Sequence, residues 1–148
     1  MINNISIRHL LLSKTTSQTK AWCLLGAWGL FIFLLSNQQH PQLNFDAVLG
    51  WQNILSQLND KYVHATFWAI LAMAIWHAIT PQNAPLKFKY ILISLLIAST
   101  LGALDEFHQY FIPSRSCDIL DWFADSVGAA LTLATLYLYH YIKHTKVL

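Results

Sequence analysis

Apolar residues are concentrated in four blocks that are separated by short polar stretches. The blocks cover residues 22–35, 62–79, 88–104 and about 122–142. A helix needs about 20 residues to cross a membrane, and the first block approaches that length when it is extended to Ser36 and to Lys20, whose side chain can snorkel to the interface. Pro81 and Pro85 separate the second and third blocks, because proline interrupts a helix. The pattern predicts an all-α membrane bundle of four transmembrane helices.

The composition agrees with a single membrane domain. Of the 148 residues, 55% are apolar and only 11% are charged, against about 25% charged in ordinary soluble proteins. We predict a cytoplasmic segment at 1–20, the membrane domain at 21–142 and a cytoplasmic tail at 143–148. Apolar residues at near-helical spacing over about 45–58 favour an interfacial helix in the first outer loop, and an ordered loop is the alternative.

The basic residues predict how the bundle is oriented. They precede the first span, lie between the second and third, and follow the fourth: Arg8, Lys14, Lys20, Lys87, Lys89, Lys143 and Lys146. Basic loops stay in the cytoplasm, so we expect a multi-pass protein of the inner cell membrane with both termini cytoplasmic. The first block also resembles a signal peptide, but the residues after it lack the small-x-small cleavage pattern. The scattered basic residues form no patch for nucleic acid.

Every acidic residue falls on the predicted outer side. The set is Asp46, Asp60, Asp105, Glu106, Asp118, Asp121 and Asp125. Lys61 and Arg115 share that side, and His64 and His108 can add further positive charge. A wholly acidic site would indicate a divalent cation, whereas mixed charges favour a polar cleft with compensated charges. No CxxC or HExxH spacing is present, so the sequence predicts no metal site and assigns no cofactor.

Helical spacing places several of these groups on shared faces. Asp60 and His64 are four residues apart, and Lys61 and His64 three, so all three side chains share one face of the second helix. A packed histidine beside a helix-start Asp is the alternative interpretation. Asp105 and Glu106 lie near the end of the third helix, where the helix dipole disfavours carboxylates. Violations of a local rule often mark functional sites.

The fourth helix begins with ordinary capping residues and then departs from that pattern. Asp118 suits the N-cap and Asp121 the first turn. Asp125 lies one turn further in, where an ionised group normally faces the bundle interior and has a partner. Gly128 follows on the same face, and with Ala124 it forms a small-xxx-small pair that is typical of close helix packing.

Taken together, these motifs resemble the VanZ-like family of small membrane proteins. The matching pieces are Leu35-Ser36-Asn37-Gln38, Asp60-Lys61-Tyr62-Val63-His64, Asp105-Glu106-Phe107-His108-Gln109, Pro113-Ser114-Arg115-Ser116, Asp118, Asp121, Asp125 and Gly128. The resemblance extends from about Trp22 to Leu138. Two departures are Asp125, where family members often carry Asn, and Cys117, where they often carry an aromatic or small residue. The resemblance implies a role in the bacterial cell envelope, with a possible link to resistance to the glycopeptide teicoplanin.

The leading functional hypothesis is an outward cleft that binds or processes an anionic or polar envelope component, such as a membrane lipid or a lipid-linked molecule. The candidate catalytic residues are His64, Glu106 and Asp121. The candidate substrate-binding residues are Asp60, Lys61, Asp105, Gln109, Arg115, Asp118 and Asp125. We also expect Arg115 to pair with a carboxylate while keeping one edge of its guanidinium free. The alternatives are a non-enzymatic scaffold that acts through membrane-protein partners, and an ion or proton transporter that relays through Asp125 and His64.

Overall fold

Four long helices form the described part of the protein. A computed structural model describes residues 4–37, 50–81, 87–113 and 115–145, with side chains from residue 18 to 143 outside 38–59, 82–86 and 114. The helices are α1 (Asn4–Ser36), α2 (Gly50–Ile79), α3 (Phe88–Gln109) and α4 (Ile119–Thr145).

Each helix contains a segment that is long and apolar enough to cross a membrane. The segments are Gln18–Ser36, Asp60–Ile79, Phe88–Gln109 and Ile119–Lys143, and they have 19, 20, 22 and 25 residues. At 1.5 Å per residue these lengths match a hydrocarbon core of about 30 Å. Exposed apolar side chains such as Leu24, Leu96 and Leu131 cover the outside of the bundle, where lipid would solvate them. The prediction of four membrane-spanning helices is confirmed.

Two helices are longer than the sequence analysis predicted. α1 begins at Asn4, within the predicted terminal segment. α2 begins at Gly50 and continues without interruption into its span, so residues 50–58 extend this helix and do not form a separate interfacial one. Residues 45–49 of that predicted helix lie outside the described residues. Neither extension contains proline or an internal glycine, so nothing in the local sequence ends the helix.

The core lies where α2 packs against the other three helices. Trp68, Leu71, Ala72 and Ile75 of α2 are buried together with Ala98 of α3, Ala129 and Leu133 of α4, and Ile32 of α1. α2 and α4 approach each other closely at Gly128, where an added Cβ would lie 2.0 Å from the carbonyl oxygen of Ala65. The predicted close packing at Gly128 is therefore confirmed. By contrast, α1 and α3 touch each other only sparingly.

Candidate functional site

One end of the bundle gathers all of the carboxylate side chains that the structure describes. Here α1 and α3 end and α2 and α4 begin, and we call this the polar end. The charged groups there are Asp60, Lys61, Asp105, Glu106, Arg115, Asp118, Asp121 and Asp125, with His64 among them. They form two hydrogen-bonded networks, and between α2 and α4 a separate contact of His64 with Asp125.

The first network is centred on Lys61, whose ammonium bridges the start of α4. Lys61 Nζ lies 2.6 Å from Asp118 Oδ2 and also forms an ion pair with Asp121. Asp118 Oδ1 accepts the Leu120 N–H at 2.8 Å, which confirms Asp118 as the N-cap of α4. The Lys61 ammonium and the Leu120 N–H both stabilise the carboxylate, so the pKa of Asp118 lies below its usual value. Lys61 therefore fastens α2 to the first turn of α4.

Glu106 belongs to the same network through the backbone of Asp118. Its Oε2 accepts the Asp118 N–H at 2.8 Å. The carboxylate of Glu106 thus lies at the N-terminus of α4, where the helix dipole favours negative charge. This contact accounts for an acidic residue near the C-terminus of α3. Glu106 is 2% exposed, and its other oxygen is buried without a hydrogen-bond partner among the described residues.

Asp125 lies deeper in the bundle and faces His64. His64 Nδ1 and Asp125 Oδ1 are 3.0 Å apart, and Asp125 is 0% exposed. The expectation that Asp125 faces the interior with a partner is confirmed. Its second oxygen, Oδ2, has no hydrogen-bond partner in the described part of the chain. Gly102 of α3 makes room for that oxygen, because a Cβ added there would lie 3.0 Å from it.

The second network connects Arg115 to Gln109, and this contact corrects a prediction. Arg115 Nε and Nη2 donate to Gln109 Oε1 at 3.1 and 2.6 Å, and among the described residues Arg115 forms no ion pair with a carboxylate. Gln109 Nε2 donates in turn to Asp105 Oδ2 at 2.9 Å and to Ser36 Oγ at 3.3 Å. The neutral amide fits between the two charges because it offers an acceptor to Arg115 and donors to Asp105.

Two adjoining cavities open beside these networks. The polar cavity has a volume of about 240 Å³, and its polar lining residues are Ser36, Asp60, His64, Asp105, Gln109 and Arg115. The apolar cavity has a volume of about 340 Å³ and lies between α1 and α3, with Gly29, Phe33, Leu101 and Leu104 in its wall. The two cavities share Ile32, Trp68 and Asp105 as lining residues. Together they offer a polar compartment beside an apolar one.

The predicted site residues therefore divide into two groups. Asp60, His64, Asp105, Gln109 and Arg115 line the polar cavity. Lys61, Glu106, Asp118, Asp121 and Asp125 do not line it and instead connect α2, α3 and α4 beside it. The structure thus places the first group alone around one cavity. His108 lies in the wall of the apolar cavity, where its ring stacks on Phe33 with centroids 5.3 Å apart.

Sequence reasoning missed two features of this site. Ser36 and Trp68 line the polar cavity, although neither was among the predicted site residues. The other feature is a pair of side-chain groups that share His64. In each group the ligand atoms lie within 4.8 Å of one another: His64, Glu106 and Asp125 in one, and Asp60, His64 and Asp121 in the other. Separations of about 60 residues, such as that between His64 and Asp125, hide such groups from spacing motifs.

Comparison with known proteins identifies a family. The family model described as VanZ/LLP1 matches residues 21–140, which is most of the 148-residue chain. No curated protein and no solved structure matches the chain.

Proposed function

Because the chain belongs to the VanZ/LLP1 family, we propose that it is a cell-envelope membrane protein that binds an anionic lipid or lipid-linked envelope component. The observation that carries this proposal is the pair of adjoining cavities at the polar end. An amphipathic ligand would place its headgroup in the polar cavity and its chain in the apolar cavity between α1 and α3. Phe33, Leu101 and Leu104 would contact the chain.

Arg115 is the proposed contact for an anionic headgroup. Two of its N–H groups point to Gln109, and the rest of the guanidinium, in the described part of the site, has no acceptor. A guanidinium binds phosphate or carboxylate through paired N–H donors. Lys61 is already held by Asp118 and Asp121, so the headgroup contact rests on Arg115. Asp60 and Asp105 line the same cavity and would accept hydrogen bonds from headgroup hydroxyl or amine groups.

A catalytic form of this proposal would use His64 as a general base at the polar cavity, with Glu106 and Asp121 as nearby carboxylates. Histidine suits that role because its charge changes near neutral pH. The link to teicoplanin is part of the same proposal, since a protein that binds lipid-linked envelope components could change glycopeptide sensitivity. Comparing teicoplanin sensitivity in cells with and without the chain tests that link separately from binding.

A scaffold function is the second candidate. It is supported by the polar contacts that join α2 to α4 through Lys61 and His64, since these groups hold the helices together without a ligand. In that case the chain would act through membrane-protein partners, and replacing Arg115 would leave lipid binding unchanged.

Lipid binding by purified protein distinguishes the two candidates. Delipidated protein would be titrated with phosphatidylglycerol or with phosphatidylcholine, and bound lipid would be counted by native mass spectrometry. We expect the wild type to prefer the anionic lipid and Arg115→Ala to bind it about tenfold more weakly, which corresponds to the loss of about 1.4 kcal/mol. Arg115→Lys should recover only part of the affinity, because an ammonium lacks the planar fork.

Lys143→Ala is the charge-matched control. Lys143 is exposed at the opposite end of α4, so its loss should leave the lipid preference intact. Equal lipid binding by the wild type and Arg115→Ala would refute the proposed headgroup contact.

A further inference from the structure

The buried group His64, Glu106 and Asp125 has the composition and placement of a metal site. We propose that these three side chains bind one divalent cation that accepts nitrogen and oxygen ligands, of the Zn²⁺ or Mn²⁺ class. The site does not depend on the proposed lipid binding, since its two carboxylates lie outside the lining of the polar cavity.

The distances between the three residues are close to those of a coordination shell. Their ligand atoms lie within 4.8 Å of one another, and His64 Nδ1 and Asp125 Oδ1 are 3.0 Å apart. Metal–ligand bonds of about 2.0–2.2 Å separate neighbouring ligand atoms by roughly 3–3.5 Å. Small side-chain movements would therefore bring all three ligands onto one ion, and the rest of its shell would come from water or a bound anion.

Unpaired buried oxygens point independently to a ligand. Glu106 is 2% exposed and Asp125 is 0% exposed. Each has one buried carboxylate oxygen that lacks a hydrogen-bond partner among the described residues, Glu106 Oε1 and Asp125 Oδ2. Buried polar atoms are almost always paired, because an unpaired one destabilises the folded state. A cation bound between the carboxylates would satisfy these groups.

The balance of charge also favours a cation. When ionised, the two carboxylates carry more negative charge than one protonated imidazole can balance. Among the described residues, the polar end has six carboxylates, Asp60, Asp105, Glu106, Asp118, Asp121 and Asp125, against the two fixed cations Lys61 and Arg115. Buried charges are normally compensated by a partner or a metal ion. A divalent cation would neutralise Glu106 and Asp125 together.

The other group, Asp60, His64 and Asp121, is a weaker candidate. Asp121 is already paired with the Lys61 ammonium, which would repel a second cation, and Asp60 is exposed to solvent. One imidazole with carboxylates is a ligand set that Zn²⁺ and Mn²⁺ accept, whereas Mg²⁺ is held mainly by carboxylates and water. The buried group is therefore the proposed site.

Metal content and metal-dependent stability of the full chain test the proposal. Purified protein would be analysed for metals by mass spectrometry, stripped with a chelator, and titrated with Zn²⁺, Mn²⁺ or Mg²⁺ while its thermal unfolding is followed. We expect about one Zn²⁺ or Mn²⁺ per chain, a rise in Tm on binding, and a much smaller response to Mg²⁺. Glu106→Gln and Asp125→Asn should each weaken binding about tenfold or more, since outer-shell changes alone reach that size.

Asp118→Asn is the matched control, because it removes one negative charge from the same end, leaves the three ligand side chains unchanged and keeps the backbone N–H that Glu106 accepts. It should bind the metal with nearly wild-type affinity. Circular dichroism of each variant shows whether its helices are intact, and the two ligand variants serve as checks on each other. Absence of metal and of any Tm shift in the wild type would overturn the proposal. Equal losses in Asp118→Asn and Glu106→Gln would also overturn it, since they would indicate diffuse attraction of cations to an acidic surface.

Discussion

His64 of α2 lies 3.0 Å from Asp125 of α4. This contact is one helical turn further from the polar end than the ion pair between Lys61 and Asp121. A further contact follows below it, where Gly128 packs against the backbone of Ala65. α2 and α4 both begin at the polar end, so the three contacts succeed one another in the same direction along both helices. The polar contacts and the close packing thus form one continuous seam.

The first prediction concerns the polar contact in the middle of this seam. Asp125→Asn keeps an oxygen that can accept a hydrogen bond from His64. We therefore expect its free energy of unfolding to lie within about 1 kcal/mol of the wild-type value. Asp125→Ala leaves the buried imidazole without its partner and should cost about 1–3 kcal/mol. Denaturation in mixed micelles with a chelator present would measure both without any contribution from metal. Equal stability of the two variants would show that the His64 contact does not hold the helices together.

Glycine 128 sets the distance between α2 and α4. A methyl group there would lie 2.0 Å from the Ala65 carbonyl oxygen, and this backbone atom cannot rotate away. We expect Gly128→Ala to lower the free energy of unfolding by about 1–3 kcal/mol or more, as overpacking does. Gly26→Ala is the control, since an added Cβ at Gly26 meets nothing within 4 Å. A Gly128→Ala protein as stable as Gly26→Ala would contradict the helix packing described above.

Removing the Lys61 ammonium, at the polar end of the seam, should lower the free energy of unfolding by an intermediate amount. Lys61→Met would cost more than the roughly 0.2–1 kcal/mol of an exposed ion pair and less than the about 3–5 kcal/mol of a fully buried one, because Lys61 is partly exposed. Lys143→Met removes a charge from the opposite end and should have little effect. Chemical denaturation of the three proteins would measure the difference, and equal stability of Lys61→Met and the wild type would contradict the contact.

The ion pair between Lys61 and Asp118 predicts that the stability of the fold depends on pH. The pKa of Asp118 is lowered from 3.8 by Lys61 and the Leu120 N–H. Its contribution to stability is therefore fully present above about pH 3.8 and is lost as the pH falls through the lower pKa of the folded state. Asp121 pairs with the same ammonium and Glu106 contacts the backbone of Asp118, so the informative quantity is the difference between the wild type and Lys61→Met. The difference in free energy of unfolding should shrink as the pH falls below 3.8. A difference that stays constant would show that the Lys61–Asp118 ion pair is not its cause.

Local features of the sequence predicted the helices but not their polar contacts. The four spans follow from apolar blocks, and Asp118 was recognisable as an N-cap because capping involves neighbours such as Leu120. Arg115 was expected to bind a carboxylate because charge alone favours that choice. Its actual partner, Gln109, depends on how the short connection from α3 to α4 folds. The His64–Asp125 contact and the space between α1 and α3 depend on helix packing, which hydrophobic spacing does not specify.

The orientation of the bundle in the membrane is the last prediction. The positive-inside rule places the polar end outside and the link between α2 and α3 in the cytoplasm. Probes at Asn44 and Gln82 would test this, but both positions lie outside the described residues, so exposed described positions are preferable. Cys117 is free and exposed at the polar end, and Pro81 is exposed at the opposite end.

A membrane-impermeant maleimide applied to intact spheroplasts should therefore label Cys117 in a Cys23→Ala protein. It should not label Pro81→Cys in a chain that also carries Cys23→Ala and Cys117→Ser, until the membrane is permeabilised. Neither test position alters a basic residue, so the charge asymmetry that sets the orientation is preserved. The chain that carries only Cys23→Ala and Cys117→Ser measures background labelling. Labelling of Pro81→Cys but not Cys117 in intact spheroplasts would invert the topology. The polar cavity would then face the cytoplasm, and a proposed ligand from the outer envelope could not reach it.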